Sequence, residues 1–284
     1  MIPASFDYVK ATSVDGAVAA LVKGGEDAKV LGGGQSLLPV LRLRLNAPSV
    51  LIDVSEVGEM RSVTDDGDSI LIGASVTTYE VMHNELVKEH AGLLSLTAGV
   101  VADPAIRHKG TFGGSVAHAD PAGDLPTVAA ALDCEMVIAG PNGRRTVAAK
   151  DFFVDYFTTA LAVDEVLVAV RVPKLGAGWS YNYQKFNRTA QAWAIVGVAA
   201  AVKSENGTIT EARVALTNMG ATPIRATGVE AALAGASSSD AIAAAASKAA
   251  DGTSPTSDLH ADGEYRKHLA QVLTRRAVQA ASGI

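Results

Sequence analysis

The sequence predicts an α+β protein of more than one compact unit, on three observations. The chain has 284 residues, 48% of them hydrophobic, enough to bury roughly three-quarters of the accessible surface of a compact body. Up to about residue 175, short apolar runs and glycine turns alternate with helical patterns. Beyond it an antiparallel meander gives way to alanine-rich helices, the order expected of a separate α+β domain.

The elements follow in order. Residues 13–24 read as an amphipathic helix, with Val14, Ala17, Val18, Leu21 and Val22 on one face, Ser13 as cap and Gly24-Gly25 as stop. A short buried strand, 29–31, runs into Gly32-Gly33-Gly34, and a second strand, 50–54, follows the Pro48 turn. The first fifty residues thus form a strand–helix–strand unit. Residues 70–73 read as a strand and 78–89 as one helix. Short runs at 137–138 and 145–147 flank Pro141-Asn142-Gly143, a strong hairpin signal. Residues 165–172 alternate as a strand that Pro173 stops. Then come strands at 181–186, 195–202 and 208–216, helices at 228–234 and 239–250, a polar linker at 251–257, and a last helix over 263–281. The expected units are residues 1–55, 56–175 and 176–284.

Charge and composition exclude several classes. Net charge is −6, whereas a nucleic-acid binder needs a basic stripe. One cysteine, Cys134, excludes an internal disulfide and any iron–sulfur cluster held by this chain alone, since such clusters normally need four thiolates. It reads as a small buried hydrophobe. The apolar run at 192–202 is about half a membrane span, and the N-terminus lacks the order of a secretory signal. A cytoplasmic protein is expected, membrane-associated only through partners.

Two glycine segments carry the chemistry. In KVLGGGQSLLP (29–39), three consecutive glycines cost backbone entropy and persist where side chains do not fit or φ must be positive. Amides in such a turn point into one concavity and bind anions, phosphates above all. A plain tight turn is the competing reading. The P-loop pattern fails, because no Gly is followed by Lys. The Rossmann fingerprint half fits through Gly32, Gly34 and Asp53, but Leu37 replaces the third glycine and Pro39 is expected to interrupt the helix. The second segment, TFGGSVAHADPAGDLP (111–126), pairs glycines with Thr111 and Ser115. Two such loops about eighty residues apart suit a long diphosphate ligand held between two walls.

These motifs, with YNYQKF at 181–186, resemble the FAD-binding medium subunit of molybdenum hydroxylases, a family that includes aerobic carbon monoxide dehydrogenase and xanthine dehydrogenase. LRLRLNAPSVLIDV (41–54) and SDLHADGEYRKHLAQVLTRRAV (257–278) look like the carbon monoxide dehydrogenase type. The resemblance implies a two-subdomain FAD-binding fold, related to p-cresol methylhydroxylase and vanillyl-alcohol oxidase (PCMH/vanillyl-alcohol-oxidase-like), followed by a C-terminal α+β domain. It places Lys29, Val30, Gly32, Gly33, Gly34, Gln35, Ser36 and Leu37 around FAD through the first loop. The second loop contributes Thr111, Gly113, Gly114, Ser115 and Ala117, with Asp120 and Asp124 as polar contacts. Val101, Leu167 and Lys185 line the flavin or adenine side, with Lys185 near the pyrimidine end of the ring. No catalytic or metal residue is expected.

The implied partners are a small subunit with two [2Fe-2S] clusters and a large molybdenum subunit, as a dimer of heterotrimers. The implied reaction is CO and water to CO₂, with electrons leaving through FAD to a quinone. A related hydroxylase acting on an N-heterocycle or aldehyde is the alternative. A self-sufficient FAD oxidase and a non-catalytic nucleotide-binding module are the readings from other classes. One departure from relatives is Ala192, where an acid often precedes the aromatic, which bears on packing or access at that flavin face. Valine at Gly33 or Gly114 is expected to abolish cofactor retention by filling the diphosphate's space. Lys185→Ala is expected to leave FAD bound and alter its potential.

The remaining candidates read blandly. His83 and His90 lack the zincin spacing of four and lie on a solvated helix face. His118, Asp120 and Asp124 could pose as an acid–base cluster. Ser36 and Ser115 lack a nucleophile elbow. Arg275-Arg276 reads as a solvent face, with an inter-subunit contact as the alternative, and Tyr181, Tyr183 and Trp193 as core or interface, with a flavin contact by one of them as the alternative.

Overall fold

A computed structural model describes residues 2–284. The chain opens with β1 (Asp7–Lys10), α1 (Val14–Gly24), β2 (Ala28–Leu31), α2 (Leu37–Arg42) and β3 (Val50–Asp53). The three strands form a parallel sheet in the order β1-β3-β2. Ser13 caps α1 by accepting the Gly16 N–H at 3.1 Å, and Val14, Ala17, Val18 and Leu21 are buried. Gly25, at φ +64°, ends the helix and donates to the Leu21 carbonyl. Pro39 does not interrupt α2. It occupies the third helical position, where an amide has no intrahelical acceptor to lose.

The middle of the chain contains β4 (Val63–Asp66), β5 (Ser69–Gly73), α3 (Thr78–His83), α4 (Glu85–His90), α5 (Gly92–Gly99), α6 (Pro104–Arg107), α7 (Phe112–His118) and α8 (Asp124–Ala131). It continues through β6 (Glu135–Gly140), β7 (Gly143–Ala148), α9 (Ala149–Phe152), β8 (Phe153–Asp155), β9 (Thr158–Thr159) and β10 (Val166–Pro173). Five strands make an antiparallel sheet in the order β4-β5-β10-β6-β7, and the Asn-Gly turn joins β6 to β7 as expected. β10 is its central strand, buried on both faces along most of its length. The single helix expected over 78–89 is two. Asn84, extended at φ −67° and ψ 130°, ends α3, and its side chain caps α4 by accepting the Val87 N–H at 3.2 Å.

The last third holds β11 (Trp179–Phe186), β12 (Val196–Glu205), β13 (Thr208–Thr217), β14 (Ile224–Arg225), α10 (Thr227–Leu233), α11 (Ser239–Ala246) and α12 (Gly263–Ser282). The four strands form an antiparallel meander. β12 is buried on both faces. Val196, Val198, Ala200 and Val202 join a core with α10, α11 and α12, whereas Ala199 and Ala201 join the larger core of the preceding units. Against that second face lies α8, all eight of whose residues are buried. Small side chains on both elements let helix and sheet approach closely, and Thr217 Oγ1 donates to Thr127 Oγ1 at 2.8 Å across the seam. Among the described residues, no helix is long and apolar enough to cross a membrane.

Candidate functional site

The first glycine segment leaves the end of β2 and turns into α2. Gly34, at φ +73°, supplies the left-handed step that a side chain would resist. Gln35 Nε2 donates to the Gly33 carbonyl at 3.1 Å, and the Leu38 N–H donates to the Gly34 carbonyl at 3.0 Å. Among the hydrogen bonds of the described residues, none uses the backbone N–H of Gly32, Gly33, Gly34, Gln35 or Ser36 as donor. Five successive amides with no acceptor require water or an anion. All five residues are half-buried.

The second segment is built differently. Thr111 caps α7, accepting the Gly114 N–H on Oγ1 at 3.0 Å and the Ser115 N–H on its carbonyl at 3.0 Å. Phe112 and Gly113 donate to the Val76 and Ala74 carbonyls at 3.0 and 3.1 Å, which pins the helix start onto the chain beyond β5. This loop spends its amides internally and forms a fixed wall.

The two loops meet. A Cβ on Gly33 would land in the Lys109 carbonyl and within 2.6 Å of Gly110 Cα, and one on Gly32 would lie 3.2 Å from Thr111 Oγ1. The reason expected for glycine at Gly33 and Gly114 is therefore corrected. At Gly33 the absent side chain lets two backbones touch. At Gly114 a Cβ would press Thr111 Oγ1 at 2.6 Å, the hydroxyl of its own helix cap. Gly113 packs on Ala74, whose carbonyl oxygen its Cβ would meet at 2.7 Å. In each case the crowding partner is protein.

Asp124 opens α8 and is 5% exposed. Both carboxylate oxygens are engaged: Lys185 Nζ donates to Oδ2 at 2.7 Å and Tyr183 OH to Oδ1 at 2.7 Å. Lys185 Nζ also donates to the Val100 carbonyl at 3.3 Å, beside Val101. Tyr183 OH lies 3.0 Å from Thr217 Oγ1, which continues the chain to Thr127. Burial pushes the Asp124 carboxyl upward while Lys185 and Tyr183 pull it back, and burial beside Asp124 raises the Tyr183 phenol well above its usual range. Lys185 is thus not an isolated cation: a carboxylate in direct contact neutralises it. From the sequence Tyr183 reads as core or interface, or as a flavin contact, and not as a partner of Asp124. The signal was present, because residues two apart on a strand share a face.

Asp120 follows α7, and its Oδ1 accepts the Ala122 N–H at 2.9 Å. Burial raises its carboxyl and lowers the nearby His118 imidazole. Beside Asp120 opens a cavity of about 320 Å³, lined also by Arg188, Ala192 and Trp193. Trp193 is 53% exposed, so it is not a core residue. Leu167 is buried in β10, beside an irregularity in the ladder to β6. Lys29 and Val30 lie on β2, Leu37 begins α2 and Ala117 lies on α7. Cys134 is buried, which pushes its thiol far up; it behaves as the expected apolar filler.

Residues 4–175 match the model of the FAD-binding domain in molybdopterin dehydrogenase, and residues 181–281 that of the CO dehydrogenase flavoprotein C-terminal domain. The chain belongs to this flavoprotein family. The chain is 38% identical over 282 residues to the carbon monoxide dehydrogenase medium chain of Hydrogenophaga pseudoflava, covering 99% of this chain and 98% of that one. It is 36% identical over 283 residues to the 6-hydroxypseudooxynicotine dehydrogenase complex subunit alpha of Paenarthrobacter nicotinovorans, covering 99% and 96%. A carbon monoxide dehydrogenase structure from H. pseudoflava lacking the Mo-pyranopterin moiety superposes with TM-score 0.96 at 39% identity, covering 100% of this chain and 99% of that one. Quinoline 2-oxidoreductase from Pseudomonas putida 86 superposes at 0.95 with 32% identity and the same coverage.

The expected family, fold and cofactor hold: this flavoprotein subunit carries an FAD-binding domain. The first loop fits that cofactor, since five unclaimed amides match the anionic diphosphate of a dinucleotide.

Proposed function

We propose that this flavoprotein is the FAD-carrying medium subunit of a molybdenum hydroxylase that oxidises carbon monoxide, CO + H₂O giving CO₂, two protons and two electrons. The observation that carries this reading is the end-to-end likeness, in sequence and fold, to carbon monoxide dehydrogenase medium chains. With one buried cysteine the chain cannot ligate a cluster needing four thiolates. Electrons therefore arrive from [2Fe-2S] clusters on a small subunit, fed by a large molybdenum subunit, in a dimer of heterotrimers. They leave to a quinone. FAD supplies a carrier that accepts electrons singly and releases them in pairs.

In this reading the amides of residues 32–36 hold the diphosphate, flanked by Lys29, Val30 and Leu37. Thr111, Gly113, Gly114, Ser115 and Ala117 form the facing wall, and Asp120 gives a polar contact. Val101, Leu167 and Lys185 stand at the ring. An ammonium has three protons; Asp124 and Val100 take two of those on Lys185, which leaves one for the cofactor. Asp124 acts through Lys185. Residues 1–55, 56–175 and 176–284 serve as separate units, each with a principal sheet of its own.

Purification of the complex from its native source tests the reading. The complex should contain one FAD per copy of this chain, and its flavin absorption should bleach on addition of CO. Bleaching by a heteroaromatic substrate or an aldehyde, with no response to CO, would replace the substrate and keep the subunit's role. That second reading is favoured by the 6-hydroxypseudooxynicotine dehydrogenase relative, whose match covers this chain as fully as that of the carbon monoxide dehydrogenase medium chain. A colourless complex would overturn both.

A further inference from the structure

A line of oxygens runs from the Asp124 carboxylate into the seam between α8 and the C-terminal sheet. Tyr183 OH is 2.7 Å from Asp124 Oδ1 and 3.0 Å from Thr217 Oγ1. Thr217 Oγ1 is 2.8 Å from Thr127 Oγ1, which lies 3.3 Å from the Gly123 carbonyl. Asp124, Thr127 and Thr217 are buried. Gly197 on β12 leaves room for the line, since a Cβ there would meet Tyr183 OH at 2.6 Å and Thr217 Oγ1 at 2.8 Å. Each hydroxyl donates one hydrogen, so three hydrogens serve four links. With Asp124 ionised, Tyr183 donates to the carboxylate, Thr217 to Thr127 and Thr127 to Gly123, which leaves no hydrogen between Tyr183 and Thr217. A proton on Asp124 Oδ1 completes the count. Asp124 then donates to Tyr183, Tyr183 to Thr217, Thr217 to Thr127 and Thr127 to Gly123. The line is one proton short when the carboxylate is charged and full when it is neutral.

We propose that Asp124 takes up a proton when the flavin is reduced, with Tyr183, Thr217 and Thr127 as the positioning residues that accommodate it. The proposal rests on the preceding reading that Lys185 stands at the ring. The Lys185–Asp124 pair is neutral as a unit. Negative charge arriving on the ring would leave this buried site with an uncompensated charge, a costly state, and one proton restores neutrality. The two electrons come from the cluster-bearing donor and stay on the flavin. The proton comes from solvent, forms an O–H bond at Oδ1 and leaves again when the electrons pass to the acceptor. The charged and titratable groups around Asp124 are Lys185 and Tyr183 on β11 and Asp120 in the turn before α8, with His118 at the end of α7 beside Asp120. α5 and residues 196–202 of β12 carry none. Arg225 on β14 and Lys150 on α9 stand at the opposite end of α8, by Ala130, and Asp151 is exposed. Burial and Asp120 push the Asp124 carboxyl upward, toward its neutral form. The Tyr183 phenol is raised well above its usual range, so it stays protonated and reverses a hydrogen bond without carrying charge.

The test uses the flavin-loaded complex, wild type beside Thr217→Val, Thr217→Ser and Asp124→Asn. Two quantities are measured around about pH 7: the reduced-minus-oxidised infrared difference spectrum in H₂O and D₂O, and the pH dependence of the flavin's two-electron potential. Wild type and Thr217→Ser should gain a carboxyl C=O stretch on reduction that shifts in D₂O. Their reduction equilibrium should also fall by a further tenfold per pH unit, about 30 mV for two electrons, relative to Thr217→Val and Asp124→Asn. Those two variants should gain no carboxyl band. Wild type and Thr217→Val with the same spectrum and the same slope would overturn the proton uptake and leave the subunit's role standing, whether or not Asp124→Asn retains flavin. Thr217→Ser behaving like the valine variant would assign the loss to packing and overturn it as well. A complex that holds no flavin would overturn the broader reading and this inference with it.

Discussion

Replacing Lys185 by methionine keeps most of the side-chain volume and removes the ammonium. Asp124 would then remain 5% exposed, with Tyr183 as its one side-chain donor. Deleting one member of a buried ion pair costs about 3–5 kcal/mol. At ~2–4 °C per kcal/mol for chains of comparable size, the midpoint should fall by roughly 6–20 °C. Without its cation the carboxyl moves further above its ordinary 3.8. The folded variant then binds a proton that the unfolded chain lacks. Its stability should rise as pH falls toward 3.8 and drop as pH rises through the raised folded value, so of two pH values above 3.8 the deficit at the higher should exceed that at the lower.

The companion Lys185→Met/Asp124→Asn removes both charges and should recover most of the loss, since a buried pair is often replaceable at little cost. Tyr183→Phe, which strands one carboxylate oxygen, should cost about 1–3 kcal/mol. Differential scanning calorimetry at the two pH values is the assay. A single variant within about 1 °C of wild type at the higher pH, or a double variant no better than the single, would refute the assignment of Asp124 and Lys185 as mutually dependent.

Gly33→Val drives a side chain into the Lys109 carbonyl, so it should lower both flavin content and thermal midpoint. A variant that loses flavin at an unchanged midpoint would indicate that the side chain meets the ligand instead. Gly114→Ala disturbs only the Thr111 cap and should cost about 1 kcal/mol with flavin retained; chemical denaturation and flavin absorbance check both. His118 is held below its ordinary 6.5 by burial, against the pull of Asp120. Its contribution to stability is present above 6.5 and is lost as pH falls through the folded value. His118→Gln should therefore flatten the dependence of the midpoint on pH between about 7 and about 5, and an unflattened profile would contradict the assignment.

The elements most legible in the sequence were those with a clear period or a turn signal: α1 with its Ser13 cap, the hairpin at Asn142-Gly143, and the meander after 178. The stretch from Gly92 to Ala131 was largely illegible as secondary structure. α5 is apolar on nearly every side and α8 is wholly buried, so neither shows a polar face to mark a period. β1 and β4 are short and mostly exposed, one reading DYVK and the other VTDD, with no apolar alternation to detect. At the site, the glycines announced two loops, but spacing alone does not say what a Cβ would strike. Gly33 looked like room for a ligand and is contact between two backbones. Nor did the sequence distinguish open amides from satisfied ones, because the second loop's bonds to Ala74 and Val76 arise from tertiary pairing. Thr127 and Thr217 gave no signal, since threonine suits helix and strand positions that do no more than pack.

The proposed grip on the cofactor rests on the N–H groups of residues 32–36 as donors. Residue-resolved amide hydrogen exchange on FAD-loaded and FAD-stripped protein measures this directly. Loading should slow exchange at these five positions strongly and leave Phe112 and Gly113, already bonded within the chain, nearly unchanged. Equal exchange at residues 32–36 in both states, with flavin demonstrably bound, would contradict the account.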